Sequence, residues 1–282
     1  MQREPDAPPD DTLEDVAYLS RSGNRFQVLE LIATKPHTSR DLRGVIDASR
    51  STIRRILAEL VERGWAERTT DGDFVATVTG EHVVTAVTPL VESMQAIREL
   101  GEALAWLPSD GLSIDLRHFS DATVRRASPN SPVAEASYLH DRLRDASTFT
   151  NLASIGPPLS MMETTRDGVV SGRLSATSVL TSGLVDYLRT RTEQRPLWQE
   201  YISSGAHVYR YEGEIPCNLH IVDETVLVGN NRPGRPCEFI ETDDETVLSW
   251  AREVIDAHQT EATGLGPEAF TVGSSLQSTR DQ

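Results

Sequence analysis

Apolar residues in the first quarter of the chain recur every three to four positions, which is the spacing of an α-helix. This spacing predicts helices over residues 13–19 and 24–33, a short helix with Ser39 as its N-cap, and a helix over residues 49–63 capped by Ser49. We expect Asp47-Ala48 to form the tight turn before the last of these helices. Gly64 is expected to end that helix as its C′ residue.

Two β-type runs follow, over residues 65–69 and 74–78. They are joined by Thr70-Asp71-Gly72-Asp73, and Asp-Gly between two such runs predicts a β-hairpin. Helical spacing returns over residues 80–107, where Pro89 is expected to split the segment into two helices. The apolar stripe of this segment belongs either to the core of the chain or to a dimer interface.

The remaining sequence alternates between strand-like and helix-like runs. The strand-like runs lie at 114–116, 169–174, 207–211 and 219–228, and the helix-like runs lie at 133–144, 182–191 and 245–258. Such alternation is typical of an α/β domain with a mostly parallel or mixed sheet. The chain as a whole is therefore expected to be α+β or α/β.

Helix, short helix, turn, helix and hairpin occur in that order over residues 24–78, which is the pattern of a winged helix-turn-helix. In the helix over 49–63, one side is apolar (Ile53, Ile56, Leu57, Leu60, Val61), and the other carries Ser51, Arg55, Ala58 and Glu62, with Arg54 beside them. A groove-binding helix uses its N-terminal half. The residues that we predict to contact double-stranded DNA are Arg50, Ser51, Thr52, Arg54, Arg55, Ser39, Arg40 and Arg68.

The chemistry of these side chains suits DNA. Arginine forks onto guanine O6 and N7, whereas Ser and Thr hydroxyls suit phosphate oxygens or base edges. Between His37 and Arg68, seven arginines stand against five acidic residues, a local charge of +2 in a chain of net charge −16. The alternative for the same scaffold is a winged helix that contacts only proteins.

Five regions follow from these patterns. They are a disordered acidic tail over 1–12, a winged helix-turn-helix over 13–80, a helical linker or dimerisation segment over 81–108, a C-terminal α/β effector or dimerisation domain over 109–260, and a disordered tail over 261–282.

The charge and composition of the chain indicate the environment in which the protein works. The 282 residues include 43 Asp and Glu against 27 Lys and Arg, and Lys35 is the single lysine. Such a composition resembles that of proteins from salt-accumulating archaea, in which salt screens the repulsion between carboxylates. No apolar run reaches the length of about 18 residues that a membrane span needs, and residues 1–15 lack the apolar region of a signal peptide. We therefore expect a cytoplasmic protein without membrane contact.

Specific stretches carry a resemblance to a family. Leu19-Ser20-Arg21-Ser22-Gly23-Asn24-Arg25, Ser49-Arg50-Ser51-Thr52-Ile53-Arg54-Arg55-Ile56-Leu57 and Leu60-Val61-Glu62-Arg63-Gly64-Trp65 resemble haloarchaeal winged-helix transcriptional regulators. Leu219-His220-Ile221-Val222-Asp223 and Trp250-Ala251-Arg252 resemble the methanogenesis-regulator type of C-terminal domain. The resemblance implies a transcription factor, here expected to be a homodimer, whose C-terminal domain senses a small-molecule effector or holds the dimer.

Weaker signals in the sequence point to other functions. His220 and Asp223 faintly resemble the phospholipase-D superfamily, but Val222 stands where that family has lysine and no second copy exists. We therefore expect no enzyme, and treat His220 as a structural strand residue, in a fold that is at most a degenerate phospholipase-D-like one. Cys217 and Cys237 are either a redox pair or two buried thiols. Histidine spacing gives no metal site, and no cofactor motif is present.

Overall fold

The computed structural model describes residues 10–107, 113–125, 134–230 and 238–271. It divides into an N-terminal unit, Met1–Val91, and a C-terminal unit, Glu92–Gln282. No helix of the described ranges has the length and apolarity that crossing a bilayer requires.

The N-terminal unit is built from helices and one hairpin. In chain order these are α1 (Asp10–Ser20), α2 (Gly23–Thr34), α3 (Ser39–Val45), α4 (Arg50–Glu62), β1 (Ala66–Arg68), β2 (Phe74–Ala76) and α5 (Val78–Leu100), which runs on into the C-terminal unit. The core joins Val28, Leu29 and Ile32 of α2 to Leu42 of α3 and to Ile53, Ile56, Leu57 and Leu60 of α4. The predicted order of elements over residues 24–78 is thus confirmed.

Two glycines with positive φ end α4 and form the turn of the hairpin. Gly64 has a φ of 71°, and the amides of Gly64 and Trp65 donate to the carbonyls of Val61 and Leu60 at 3.0 and 2.9 Å. This left-handed C′ residue closes α4 as the sequence predicts. Gly72 has a φ of 92° in the turn between β1 and β2, where its amide donates to Thr69 O at 3.0 Å.

Three expectations for this unit were wrong. Thr38, not Ser39, caps α3, because its hydroxyl accepts from the amides of Arg40 and Asp41 while the Asp41 carboxylate accepts from the Thr38 amide. Pro89 lies inside α5 without ending it. A proline removes one helical hydrogen bond, but the packing of the flanking turns can hold the helix together. The helix α1 begins at Asp10, within the segment that we expected to be a disordered tail.

The C-terminal unit contains one large mixed sheet. Its elements are β3 (Thr123–Arg125), α6 (Ala134–Asp145), β4 (Thr148–Ala153), α7 (Leu159–Val170), β5 (Ser175–Thr181), α8 (Ser182–Thr190), α9 (Arg195–Ser203), β6 (His207–Tyr211), β7 (Asn218–Val222), β8 (Thr225–Gly229), β9 (Phe239–Thr242), α10 (Glu245–Glu261) and β10 (Thr263–Gly264). The strand order is β10-β6-β5-β4-β7-β8-β9-β3, in which β4, β5 and β6 are parallel and the other pairings are antiparallel.

Helices cover both faces of this sheet. One face packs on α6, α7, α8 and α9. The other face packs on α10, the end of α5 and the 3₁₀ turn Gly101–Ala105. Strand β8 is buried along its whole length, as expected for a strand with neighbours on each side and helices above and below.

Several boundaries in this unit were predicted wrongly, because pairing and packing override local pattern. Residues 114–116 form no strand and lead into the 3₁₀ helix Leu116–Phe119, and residues 169–174 hold the end of α7 and a turn. The run 219–228 is two strands, β7 and β8, which turn at Asp223 with a φ of 55°. In the expected tail over 261–282, Phe270 is fully buried and its ring centroid lies 5.5 Å from that of Trp198.

Candidate functional site

The N-terminus of α4 gathers three hydroxyl groups. Ser49 caps the helix, since its Oγ accepts from the Thr52 amide at 3.1 Å. The same Oγ lies 2.9 Å from Ser51 Oγ and 2.8 Å from Thr52 Oγ1. Because the first amides of a helix are unpaired and its N-terminus is electropositive, this end of α4 favours an anion.

The outer face of α4 is the exposed side that carries Ser51, Arg54, Arg55, Ala58 and Glu62. Arg50, also exposed, and Arg54 make no hydrogen bond or ion pair with the described part of the chain. Their guanidinium groups are therefore available to a partner. Arg55 differs, because its Nη1 donates to Glu59 Oε1 at 2.9 Å.

The remaining predicted DNA contacts lie on α3 and the hairpin. Arg40 is exposed on α3, and Ser39 beside it is partly buried. Arg68 of β1 is exposed, and its Nε donates to Gly72 O at 3.2 Å, which holds the guanidinium against the turn. The same turn carries Asp71 and Asp73, so that the tip of the hairpin is acidic. The structure thus groups five of the eight predicted residues on the first turns of α4.

A cluster around the buried ring of Tyr18 was missed by sequence analysis, because its members come from α1, α2 and the end of α4. The guanidinium carbons of Arg25 and Arg63 each lie 4.2 Å from the centroid of the Tyr18 ring. Burial raises the pKa of Tyr18 to about 12, and the negative charge of the nearby Glu59 carboxylate adds to the effect. Arg25 Nη2 also lies 3.5 Å from Glu59 Oε2, so that Glu59 joins this cluster to Arg55.

In the C-terminal unit, His220 lies on β7 between two aromatic rings. Its ring is parallel to that of Phe149, with centroids 6.2 Å apart, and meets the Phe239 ring edge-on at 5.7 Å. Burial lowers the pKa of His220 to about 4, which makes the imidazole neutral at pH 7. This histidine is therefore held as part of the packing of the sheet.

Asp223 lies apart from His220, in the turn between β7 and β8. Its Oδ1 accepts from the amides of Ser147 and Thr148 at 3.0 and 2.9 Å and from the Ser147 hydroxyl at 2.8 Å. Burial alone would raise the pKa of Asp223, but these hydrogen bonds outweigh burial and lower it. The carboxylate therefore fastens a turn.

The cysteines divide between described and undescribed regions. Cys217 is buried and makes no disulfide, and burial raises the pKa of its thiol to about 12. Cys237 lies outside the described residues. Among the described residues, no group of three His, Cys, Asp or Glu side chains is placed to hold a metal ion.

Two family models match separate parts of the chain. Residues 13–99 match the HVO_A0261 N-terminal domain. Residues 130–261 match the middle domain of the methanogenesis regulatory protein FilR1, so that the expected similarity to a methanogenesis regulator is confirmed for this region. No curated protein matches the chain.

Three solved structures show weak similarity to the chain. TrmBL2, an archaeal chromatin protein, has a TM-score of 0.40 at 13% identity over 84% of this chain and 91% of its own. The phospholipase D family member Nuc from Salmonella typhimurium has a TM-score of 0.39 at 12% identity over 51% of this chain and 99% of its own. NucT from Helicobacter pylori has a TM-score of 0.39 at 11% identity over 51% and 98%. Similarities at this level concern the fold and carry no argument about function.

Proposed function

We propose that this protein is a sequence-specific DNA-binding transcriptional regulator. In this proposal, α2, α3, α4 and the β1–β2 hairpin act as a winged helix-turn-helix with α4 as the recognition helix. The observation that carries it is the start of α4, where unpaired arginines and clustered hydroxyls face solvent at an electropositive helix end. The match of residues 130–261 to a domain of a regulatory protein supports it.

Each predicted DNA contact has a role in this proposal. Arg54 and Arg55 contact base edges, since a guanidinium forks onto the O6 and N7 acceptors of guanine. Arg50, Ser51 and Thr52 bind backbone phosphate at the helix N-terminus. Ser39, Arg40 and Arg68 add phosphate contacts beside α4, which fix the register of the protein on the duplex.

A homodimer is the second part of the proposal. Leu90, Met94 and Ile97 follow one another at helical spacing on α5 and are 53%, 57% and 42% exposed. A row of large apolar side chains in solvent favours self-association, and a dimer matches the two-fold symmetry of a palindromic operator. Met94→Asp should convert the dimer to a monomer in light scattering, whereas a wild-type monomer would contradict this part.

The C-terminal unit is proposed to respond to a small-molecule effector and to perform no catalysis. A phosphodiesterase of the phospholipase-D type needs a lysine near its histidine, but Val222 occupies that position. Hydrolysis of a generic phosphodiester that disappears in His220→Ala would contradict the proposal. The acidic surface fits action in a salt-rich cytoplasm.

The experiment that tests DNA binding is fluorescence anisotropy with DNA from upstream of the gene and with a scrambled duplex, in molar KCl. High salt is needed because phosphate contacts weaken steeply with ionic strength, so that base contacts dominate the difference. We expect preference for the upstream DNA, lost in Arg54→Ala/Arg55→Ala. The matched control, Arg144→Ala/Arg252→Ala, removes two exposed helix arginines of the C-terminal unit and should keep the preference.

Equal affinity of the folded wild-type protein for a library of duplexes would contradict sequence-specific binding. That result, together with capture of transcription proteins, would favour a winged helix that contacts proteins.

A further inference from the structure

A cavity of about 230 Å³ lies inside the C-terminal unit, between the sheet and the helices α7 and α9. Its sheet side is formed by residues of β4, β5, β7 and β9, and its helix side includes Met161 and Met162 of α7 and Trp198 of α9. The loop between β4 and α7 also lines it, and Ile155 in that loop is exposed. This loop therefore joins the cavity to the surface.

Three polar side chains cross the sheet side of the cavity in one row. Asn151 of β4 pairs in register with Ser178 of parallel β5 and with His220 of antiparallel β7. All three line the cavity, so that they lie on the same face of the sheet. We call Ser178, Asn151 and His220 the polar row.

The hydrogen bonds of the polar row are incomplete. The hydroxyl groups of Ser178 and Tyr201 are bonded to each other. Asn151 is only 7% exposed, yet its Oδ1 has no hydrogen-bond partner, and His220 Nδ1 has none either. Buried polar atoms in folded proteins are nearly always paired, so two adjacent unpaired atoms on a cavity wall indicate that a ligand supplies the partner.

The lining restricts the charge of that ligand. Among the residues that the structure describes, those that line the cavity include no Asp, Glu, Lys or Arg, in a chain of which 25% of residues are charged. A carboxylate, phosphate or ammonium group enclosed here would lose its hydration without gaining an ion pair. The occupant is therefore uncharged.

The lining also restricts size and shape. Phe149, Phe239 and Trp198 give flat apolar walls, and Met161 and Met162 adapt to irregular shapes. Because an engineered apolar cavity of about 150 Å³ binds benzene, this cavity takes roughly ten non-hydrogen atoms.

We infer that the cavity binds an uncharged, largely apolar ring compound whose hydroxyl or N–H group donates to Asn151 Oδ1 beside His220. That this ligand acts as an effector rests on the proposed regulatory function, whereas its binding does not.

The probe that tests this is 1-naphthol, which is uncharged at neutral pH and has about eleven non-hydrogen atoms. Two analogues isolate its features: 1-methylnaphthalene has the same size without a donor, and 1-naphthoate carries a charge. Calorimetric titration of the full chain without DNA should give one site per chain for 1-naphthol, with 1-naphthoate at least about tenfold weaker.

Variants then place the site. Asn151→Leu keeps side-chain size and removes the acceptor, so it should weaken 1-naphthol about tenfold while 1-methylnaphthalene stays within about twofold. His220→Phe should also weaken 1-naphthol. Its control is His118→Phe, the same change at a partly buried histidine of the same unit that does not line the cavity, and this variant should bind like wild type. Thermal unfolding of each unliganded variant verifies that it is folded.

Absent binding of 1-naphthol to the wild type, equal binding of 1-naphthoate, or an unchanged affinity in folded Asn151→Leu would each overturn the inference. These outcomes leave the proposed function standing, since that is tested by DNA preference in Arg54→Ala/Arg55→Ala. A folded wild-type protein that shows no DNA preference would instead contradict the regulator and leave the ligand site in place.

Discussion

The outer face of α4 and the polar row of the C-terminal sheet are the two polar surfaces that the proposals use, and they differ in almost every physical respect. The outer face of α4 is exposed and charged, and its arginines have solvent as an alternative partner. The polar row is enclosed and uncharged, and Asn151 Oδ1 has no partner at all. A change on α4 should therefore alter binding without altering stability, whereas a change in the row should alter both.

One added carboxylate gives the largest expected effect. Asn151→Asp places a charge in a cavity wall whose described residues include no Lys or Arg and whose one histidine, His220, is neutral, so the free energy of unfolding at pH 7 should fall by about 3 kcal/mol. Burial raises the folded-state pKa of the new carboxyl, so the loss is full above that pKa and shrinks as pH falls toward the unfolded value. Denaturant unfolding followed by tryptophan fluorescence at several pH values measures it. A loss below about 1 kcal/mol would mean that water fills the cavity freely.

A carboxylate added at the start of α4 should leave the stability of the fold almost unchanged and weaken DNA binding instead. Ser51→Asp adds a negative charge at a helix N-terminus, where the free energy of unfolding should stay within about 0.5 kcal/mol of wild type. DNA affinity should fall by at least about 2 kcal/mol, or roughly thirtyfold, because the carboxylate would face phosphate. Anisotropy and denaturant unfolding of the same preparation test both halves. Unchanged DNA affinity would remove the start of α4 from the interface.

The two surfaces also differ in how far the sequence predicts them. The residues of α4 are contiguous, its apolar side repeats with helical period, and Ser49 and Gly64 mark its ends. The local sequence pattern is therefore enough to predict this helix and its outer face. The hairpin was predictable from Asp71-Gly72 for the same reason.

The polar row could not be found in this way. Asn151, Ser178 and His220 are brought together only by the register of three strands. Strand β4 itself, Thr-Phe-Thr-Asn-Leu-Ala, has too weak a pattern to be predicted, and β5 starts where the sequence suggested that a strand had ended. Phe270 was likewise assigned to a disordered tail from its Gly-, Ser- and Thr-rich surroundings, although it packs on Trp198. In each case long-range packing decides the structure.

The stability of the protein in acid should depend on His220 of the polar row. The pKa of His220 is lowered to about 4, so the unfolded chain binds a proton at this residue that the folded chain does not. Stability from this residue is full above about pH 6.5 and is lost as pH falls toward 4, by about 2 kcal/mol after allowance for water in the cavity. Wild type should therefore lose that much more than His220→Gln between neutral pH and pH 4.5 in denaturant titrations. The control His118→Gln should follow the wild-type curve, and parallel curves for wild type and His220→Gln would contradict a buried neutral imidazole.

The smallest expected effect concerns the restraint on Arg55. Glu59 Oε1 accepts from its guanidinium at 2.9 Å, and this pair must open before Arg55 can fork onto a base. Glu59→Gln should therefore tighten DNA binding, but removal of any acid near α4 also reduces repulsion of phosphate. Glu62→Gln provides the match, since Glu62 lies on the same helix and makes no ion pair with Arg55. We expect Glu59→Gln to tighten DNA binding by about 0.5 kcal/mol more than Glu62→Gln in the anisotropy assay, which is the size of an exposed helical ion pair.

Equal gains in DNA affinity for the two variants would mean that only net charge matters and that Arg55 does not leave Glu59 for DNA. A larger gain would mean that the cluster of Tyr18, Arg25 and Glu59 also limits the start of α4, because Arg25 would then lose its own partner 3.5 Å away.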